Sequence, residues 1–349
     1  MLGKSGIERI ELTSGYSISR IIKGGWHLAG GHGEIDPDQA IKDMAEFVEA
    51  GVTTFDCADI YTGVEELIGG FCKSFPELAK EIQIHTKYVP DYDLLSTIRP
   101  EDVERGIDRS LKRLRVERLD LVQFYWWDPD GIPGYVETAE TLLKLKQAGK
   151  IRHIGLTNFN TRQLKAIVEA GIPVLTNQLQ YSPIDKRPEK ELVPFCQQKQ
   201  IMQLCYGSLA GGFFSDYWFK ADEPGVPLSN RSLTKYKLII EDIGGWGHFQ
   251  QILAGMSQIA KKHHVNLSQV ALKWTLDQSQ VAAVIVGATS TKHLKENLGV
   301  FDFSFDSDDL QGLEEILKQS LPLSGDCFDL ERDKKGRHGS IMRYNENRN

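Results

Sequence analysis

Short apolar runs rich in β-branched residues recur along this chain, alternating with longer stretches in which apolar residues return every three to four positions. The first pattern predicts buried strands and the second amphipathic helices, because a strand covered on both faces needs no alternation whereas a surface helix buries one stripe. The candidate strands are Arg20–Ile22, Thr53–Phe55, Ile82–His85, Leu119–Phe124, Arg152–Leu156, Val174–Leu179, Ile201–Cys205 and Val281–Val286.

The intervening segments carry helix signals. Asp36-Pro37-Asp38-Gln39 supplies an N-cap, a first-turn proline and a capping-box glutamine; Ile41, Met44, Phe47 and Val48 then share one face, and Gly51 is the stop. Asn160 and Gln163 repeat the capping arrangement before Leu164, Ile167 and Val168, with Gly171 as the stop. After Pro100, Val103, Ile107, Leu111 and Leu114 fall at helical spacing.

Strand then helix, repeated about eight times without a proline-rich linker, predicts an all-parallel sheet closed into a (β/α)8 TIM barrel, one domain over residues 1–349. Residues 1–22 read as an N-terminal hairpin and first strand, with Ile7–Ile22 turning at Ser14-Gly15 and closing the bottom of the barrel. Two segments stand outside the repeat. Residues 211–249, with Phe213, Phe214, Tyr217, Trp218 and Trp246, read as a long loop at the barrel mouth. Residues 321–349 form a tail of mixed composition, either a structured flap or a solvated end.

Composition is that of an ordinary globular protein, with 41% hydrophobic and 26% charged residues. The net charge of -7 with dispersed basic residues argues against nucleic acid or an anionic membrane as partner; the one basic cluster, Arg332 to Arg343, is interrupted by Asp333. No run approaches the roughly 18 apolar residues of a membrane span, and the N-terminus lacks a leader pattern, so the chain reads as cytoplasmic. Five cysteines, odd in number and unpatterned, read as reduced thiols. His27, His32, His85, His263 and His264 match no metal-ligand spacing, so no metal is expected. Oligomeric state is not encoded in any of these patterns.

In a barrel of this kind the active site lies at the C-terminal ends of the strands. That rule selects Asp56 and Tyr61 after the second strand, Lys87 after the third, Tyr125 after the fourth, and Thr157 with Asn158 after the fifth. A carboxylate, a phenol and an ammonium at adjoining strand ends suit proton transfer to a carbonyl; they equally suit a structural ion pair beside a packed tyrosine.

Six motifs then occur in register: F-D-C-A-D-I-Y with G-V-E-E-L-I-G behind it, H-T-K, L-D-L-V-Q-F-Y-W-W-D, G-L-T-N-F, N-Q-L-Q-Y and V-G-A-T-S-T-K-H-L-K-E-N. Together they resemble the aldo-keto reductase superfamily over nearly the whole chain. The resemblance implies reversible reduction of a small-molecule aldehyde or ketone, or oxidation of the alcohol, by NADP(H). It makes Tyr61 the general acid, with Lys87 favouring its phenolate and Asp56 anchoring Lys87. An ammonium about 4 Å from a phenolate at an effective dielectric of about 20 is worth about 4 kcal/mol, roughly three pKa units, so the Tyr61 phenol is expected to be more acidic than usual.

In the slot where the family places a carbonyl-binding histidine stands Tyr125, a shorter list of donors on a longer side chain. This departure keeps open a second reading, a cofactor-binding regulatory or sensor protein with little turnover, resembling the potassium-channel β subunits. An unrelated barrel lyase or hydrolase is the third.

The resemblance also implies a nucleotide bed. Gly24, Gly25 and Trp26 would let the cofactor approach, with Asp56 beside it; Thr157, Asn158 and Gln178 would hold the nicotinamide carboxamide; Tyr206 would stack on its ring. Gly207, Leu209 and Gly211 would follow the pyrophosphate. Beyond Gly287, a helix capped by Ser290 is expected to present Thr289, Ser290, Lys292 and His293 to a 2′-phosphate, with Glu296 and Asn297 at the adenine. The lysine and arginine that some branches place at Gly287 and His293 are absent. Trp26, Tyr88, Trp126 and the Phe213–Trp218 segment are the expected substrate walls.

Overall fold

The computed structural model describes residues 7–30 and 33–347. Residues 1–6, 31–32 and 348–349 fall outside it, so the reading of the N-terminal leader and of His32 lies outside the described residues. Among the described residues are ten strands: β1 (Arg9–Thr13), β2 (Tyr16–Ser19), β3 (Ile21–Gly24), β4 (Thr54–Asp56), β5 (Gln83–Tyr88), β6 (Leu119–Phe124), β7 (Ile151–Thr157), β8 (Val174–Gln180), β9 (Met202–Tyr206) and β10 (Val281–Gly287). β3 to β10 close into a parallel barrel, with β10 hydrogen-bonded to both β9 and β3. These eight are the strands that the apolar runs predict, displaced at most by a few residues at their ends.

The antiparallel hairpin β1–β2 turns at Ser14-Gly15 and seals the bottom. Tyr16 and Ile18 of β2 reach into the barrel, where they pack with Ile22, Leu121 and Leu204. The Tyr16 hydroxyl also lies 3.0 Å from Nε2 of the fully buried His85. The far larger apolar core fills the layer between barrel and helices, since both faces of a parallel sheet must be covered.

Helix Pro37–Glu49 starts at Asp36, whose carboxylate accepts from the N–H groups of Asp38 and Gln39. The expected reciprocal bond from Gln39 does not form; its amide donates to Asp43 at 2.8 Å instead. At Asn160 and Gln163 the full capping box is present.

The segment 211–249 is not the long loop that its glycines and prolines suggest. It contains the helix Arg231–Asp242, capped by the Asn230 side chain, and the start of the helix Gly245–His263. Four of its aromatic residues cluster, with the buried Phe213 against Trp218, Trp246 and Phe249 at 5.0 to 6.1 Å between ring centroids, while Tyr217 is exposed.

The tail runs across the barrel mouth. Asp326 accepts from the Thr161 N–H and hydroxyl at 2.8 and 2.7 Å; Arg332 donates to the Asn158 carbonyl at 2.6 Å. Further on, the Tyr92 N–H donates to the Tyr344 carbonyl at 2.9 Å, and Asn347 Nδ2 to the Val89 carbonyl at 2.6 Å. Among the described residues the five cysteines are free, no group of three His, Cys, Asp or Glu could hold a metal, and no helix is long and apolar enough to cross a membrane.

Candidate active site

The barrel mouth holds a cavity of about 650 Å³, and Asp56, Tyr61, Lys87 and Tyr125 all line it. Asp56 ends β4 and Lys87 is the penultimate residue of β5, so neighbouring parallel strands bring the two side chains together. Lys87 Nζ donates to Asp56 Oδ2 at 2.6 Å and to the Cys57 carbonyl at 2.9 Å. The second oxygen, Oδ1, accepts from Gln123 Nε2 at 2.9 Å and from Gln178 Nε2 at 2.6 Å. Both charges are nearly inaccessible, with side chains 5% and 4% exposed. Ions so buried cost several kcal/mol each in desolvation, and the pair holds only because the remaining hydrogen-bonding positions are filled. Burial alone would favour the neutral amine, but the Asp56 carboxylate overrides it and raises the Lys87 pKa above the ordinary lysine value. The ammonium therefore persists at any working pH.

Lys87 Nζ lies 4.7 Å from the centre of the Tyr61 ring, and Trp26 meets that ring edge-on at 5.1 Å. The expectation of a more acidic phenol is reversed. Burial is the larger influence and raises the Tyr61 pKa above its usual value, while Lys87 pulls it back only in part. At neutral pH Tyr61 is thus protonated, the form that a proton donor requires. Tyr125, just past β6, stands edge-on to Trp127 at 4.8 Å and to Phe328 at 6.0 Å. Burial raises its pKa too, with the Arg332 charge opposing, so its phenol stays neutral and keeps one donor.

A second set of residues extends the cavity along the mouth. Gly24, Trp26, Thr157, Asn158, Gln178, Tyr206, Gly207, Leu209, Gly211 and Gly287 all line it. The Tyr206 hydroxyl donates to Asn158 Oδ1 at 2.7 Å, which fixes the ring at the end of β9. Facing it is the start of the helix Arg231–Asp242, whose Arg231, Ser232, Lys235 and Tyr236 form a wall that no motif announced. The approach depends on glycine: Gly207 has φ +76° and a Cβ there would collide with the Tyr236 hydroxyl, while one on Gly211, at φ +66°, would meet the Ser232 carbonyl. Lys235 Nζ lies 5.1 Å from the Tyr206 ring centre and 3.6 Å from Glu331 of the tail.

Other expected residues lie elsewhere. Tyr88 points away from the barrel and stacks on Phe124 at 6.3 Å; Trp126 is fully buried and donates to the Ile132 carbonyl at 2.9 Å. Neither lines the cavity, whereas Val89 and Trp127 do. Strand parity accounts for both corrections: with Lys87 and Tyr125 facing inward, the next residue faces outward and the one after returns. The Phe213–Trp218 aromatics serve the cluster described above, and Gly25 faces Val64 behind the strand. Thr289, Ser290, Lys292, His293, Glu296 and Asn297 lie beyond Gly287, outside the cavity. The helix expected to start at Ser290 begins only at Leu294 and ends at Leu298. His293 is instead paired with Glu296 at 2.7 Å.

The sequence model of the Aldo/keto reductase family matches residues 20–318. A probable aldo-keto reductase 1 of Glycine max is 28% identical over 314 residues, covering 87% of this chain and 87% of that protein. An NADH-specific methylglyoxal reductase of Escherichia coli (strain K12) is 24% identical over 324 residues, covering 87% of this chain and 96% of its own length. Among solved structures, the glycerol dehydrogenase AKR11B4 from Gluconobacter oxydans superposes with a TM-score of 0.76 at 24% identity, over 91% of this chain and 97% of that one. With the family pattern spanning the barrel from β3 to the helix before the tail, the chain belongs to the aldo/keto reductase family.

Proposed function

We propose that the protein is an NADP(H)-dependent reductase of aldehyde or ketone groups on small molecules, working reversibly. The observation that carries this reading is the buried Asp56–Lys87 pair beside a protonated Tyr61 at the edge of a large cavity. Bound NADP(H) supplies or accepts the hydride. Tyr61 gives its hydroxyl proton to the carbonyl oxygen, and the Lys87 ammonium stabilises the phenolate left behind. Tyr125 donates a hydrogen bond to the same oxygen. Asp56, held at both oxygens, keeps Lys87 charged and aimed.

The cavity lining formed by Gly207, Leu209, Gly211 and the Tyr206 ring suits a dinucleotide, and the two glycines let that loop pack against Tyr236 and Ser232 of the facing helix, where added Cβ atoms would collide. In this reading Thr157, Asn158 and Gln178 hold the carboxamide, Tyr206 covers the nicotinamide, and Lys235 adds positive charge beside the pyrophosphate path. Thr289, Ser290, Lys292 and His293 are assigned the 2′-phosphate, and Glu296 and Asn297 the adenine.

The test is NADPH and NADH consumption by the purified protein against a panel of aldehydes and ketones, together with Tyr61→Phe and Tyr125→His. The expected result is NADPH-driven turnover that Tyr61→Phe lowers by about 10² to 10⁴-fold. Tight NADPH binding with negligible turnover, restored by Tyr125→His, would replace the enzyme with a sensor. Faster turnover with NADH would overturn the 2′-phosphate assignment.

A further inference from the structure

The tail contributes charge as well as cover to the cavity. Arg343 and Glu346 line it from the tail, and Arg231 lines it from the facing helix. The Arg231 guanidinium lies 5.5 Å above the Trp26 ring, and that ring touches Tyr61, so this charge stands at the carbonyl end of the cavity rather than along the glycine floor. Its hydrogen bond to the Ile341 carbonyl is long at 3.4 Å. Arg343 Nε reaches Glu346 Oε1 only at 3.9 Å. Burial, then the charge of Arg343, hold the Arg231 pKa below its usual value, with Glu346 opposing. Two guanidiniums therefore face one carboxylate across a space walled by Trp127, Ile341 and Met342. This local positive excess occurs in a chain of net charge -7, whose overall field repels anions.

Resting on the reductase reading above, we propose that Arg343 and Arg231 form a recognition site for a carboxylate on the carbonyl substrate, making the preferred substrate an oxo-acid with an apolar or aromatic body. A carboxylate matches the need in both charge and shape: it neutralises the excess, and its two oxygens suit the planar fork of a guanidinium. Neutral aldehydes would fill the apolar walls and leave the excess charge unpaired. Arg343 belongs to the tail, so substrate choice and tail docking are linked.

Two ligands of nearly equal size isolate the charge: 4-carboxybenzaldehyde and methyl 4-formylbenzoate, compared at saturating NADPH with wild type, Arg343→Gln, Arg343→Lys and Arg231→Gln. Wild type is expected to favour the acid at least tenfold in kcat/KM. Arg343→Gln should raise KM for the acid at least tenfold more than for the ester, and Arg343→Lys should recover part of the loss. Equal effects on acid and ester, or a wild type without preference, overturn the proposal. So does a loss of NADPH affinity in either glutamine variant without loss of acid preference, which would give the guanidiniums to the cofactor phosphates. Should no aldehyde turn over, the reductase reading fails, and binding of 4-(hydroxymethyl)benzoate against its methyl ester, followed by tryptophan fluorescence, still decides. A tenfold preference for the acid that Arg343→Gln abolishes upholds the carboxylate site; equal binding refutes it.

Discussion

One buried ion cluster lines the cavity and a second lies behind its wall, reached through Lys235, and the two are assembled over very different lengths of chain. Lys87 and Asp56 lie 31 residues apart on adjacent strands, where the register pairs Asp56 with His85 and so sets Lys87 two residues further along on the same face. Arg187 is held at 2.7 Å by Asp185 and at 3.2 Å by Glu331, a tail residue 144 positions away, with all three side chains no more than 2% exposed. The first cluster comes with closure of the barrel. The second exists only once the tail has docked, so one fold contains a rigid chemical wall and a separately held covering wall.

Removing one partner from each cluster is the strongest way to break that distinction. Arg187→Met leaves Asp185 and Glu331 buried without their guanidinium, an arrangement that costs about 3 to 5 kcal/mol. The expected outcome is release of the tail, seen as trypsin cleavage at Lys334 and Lys335 in a chain whose barrel stays folded by circular dichroism. Lys87→Met should do the reverse, lowering turnover by at least about 10²-fold while leaving the tail resistant to trypsin. If Arg187→Met unfolds the barrel together with the tail, the two walls are one cooperative unit and the comparison fails.

Acid separates the barrel from the tail by a smaller margin. Burial would raise the Glu331 pKa, but Arg187 and Lys235 overcome it and hold the carboxyl at about 2, against an ordinary 4.5. Its folded-state pKa is depressed, so its stabilisation is complete above pH 4.5 and is lost as pH falls toward about 2. His85 at the bottom of the barrel is pushed by burial from 6.5 down to about 4, so the unfolded chain takes up its proton first. Barrel stability therefore falls between pH 6.5 and about 4, before the tail contact weakens. Each shift amounts to about 3 kcal/mol at most. Thermal melts across pH, with Glu331→Gln and His85→Gln as partners, should show each component flatten alone; a tail that detaches from the barrel above pH 5 would contradict this order.

The same contrast explains what the sequence made legible. The strands and the Asn160–Gln163 cap follow from periodicity and capping signals, and the placement of Asp56 and Lys87 at the mouth follows from the rule that a barrel collects function at its strand ends, while their pairing is what the family resemblance implies. Tyr88 and Trp126 have the aromatic character of a substrate wall but the strand parity of outward-facing positions, and parity decides where they lie. The helix Arg231–Asp242 also had a local signal, Asn230 three positions before Leu233, obscured by the glycines and prolines around it. Glu331 meeting Arg187, and Arg343 facing Arg231, had none. A contact spanning more than a hundred residues between a loop and a tail has no period, and only the folded chain brings it into view.

The finest distinction lies within the tail itself, between its ionic clamp at Glu331 and its aromatic clamp at Tyr344. The Tyr344 ring lies 4.9 Å from Trp127 and 5.6 Å from Tyr92, while its carbonyl accepts from the Tyr92 N–H at 2.9 Å. Tyr344→Ala removes the rings' contact but keeps the backbone bond and leaves Glu331 untouched. Aromatic pairs contribute about 0.5 to 1.5 kcal/mol each beyond their buried area, so the loss should be about 1 to 3 kcal/mol and confined to the last turn of chain. Hydrogen exchange should then quicken at residues 341–347 and not at Asp329–Arg332, with KM rising a few-fold because the cavity residue Trp127 loses its Tyr344 contact. Quickened exchange at Asp329–Arg332 as well would mean that the two clamps open together, and that a bound substrate touching Arg343 is felt as far away as Arg187.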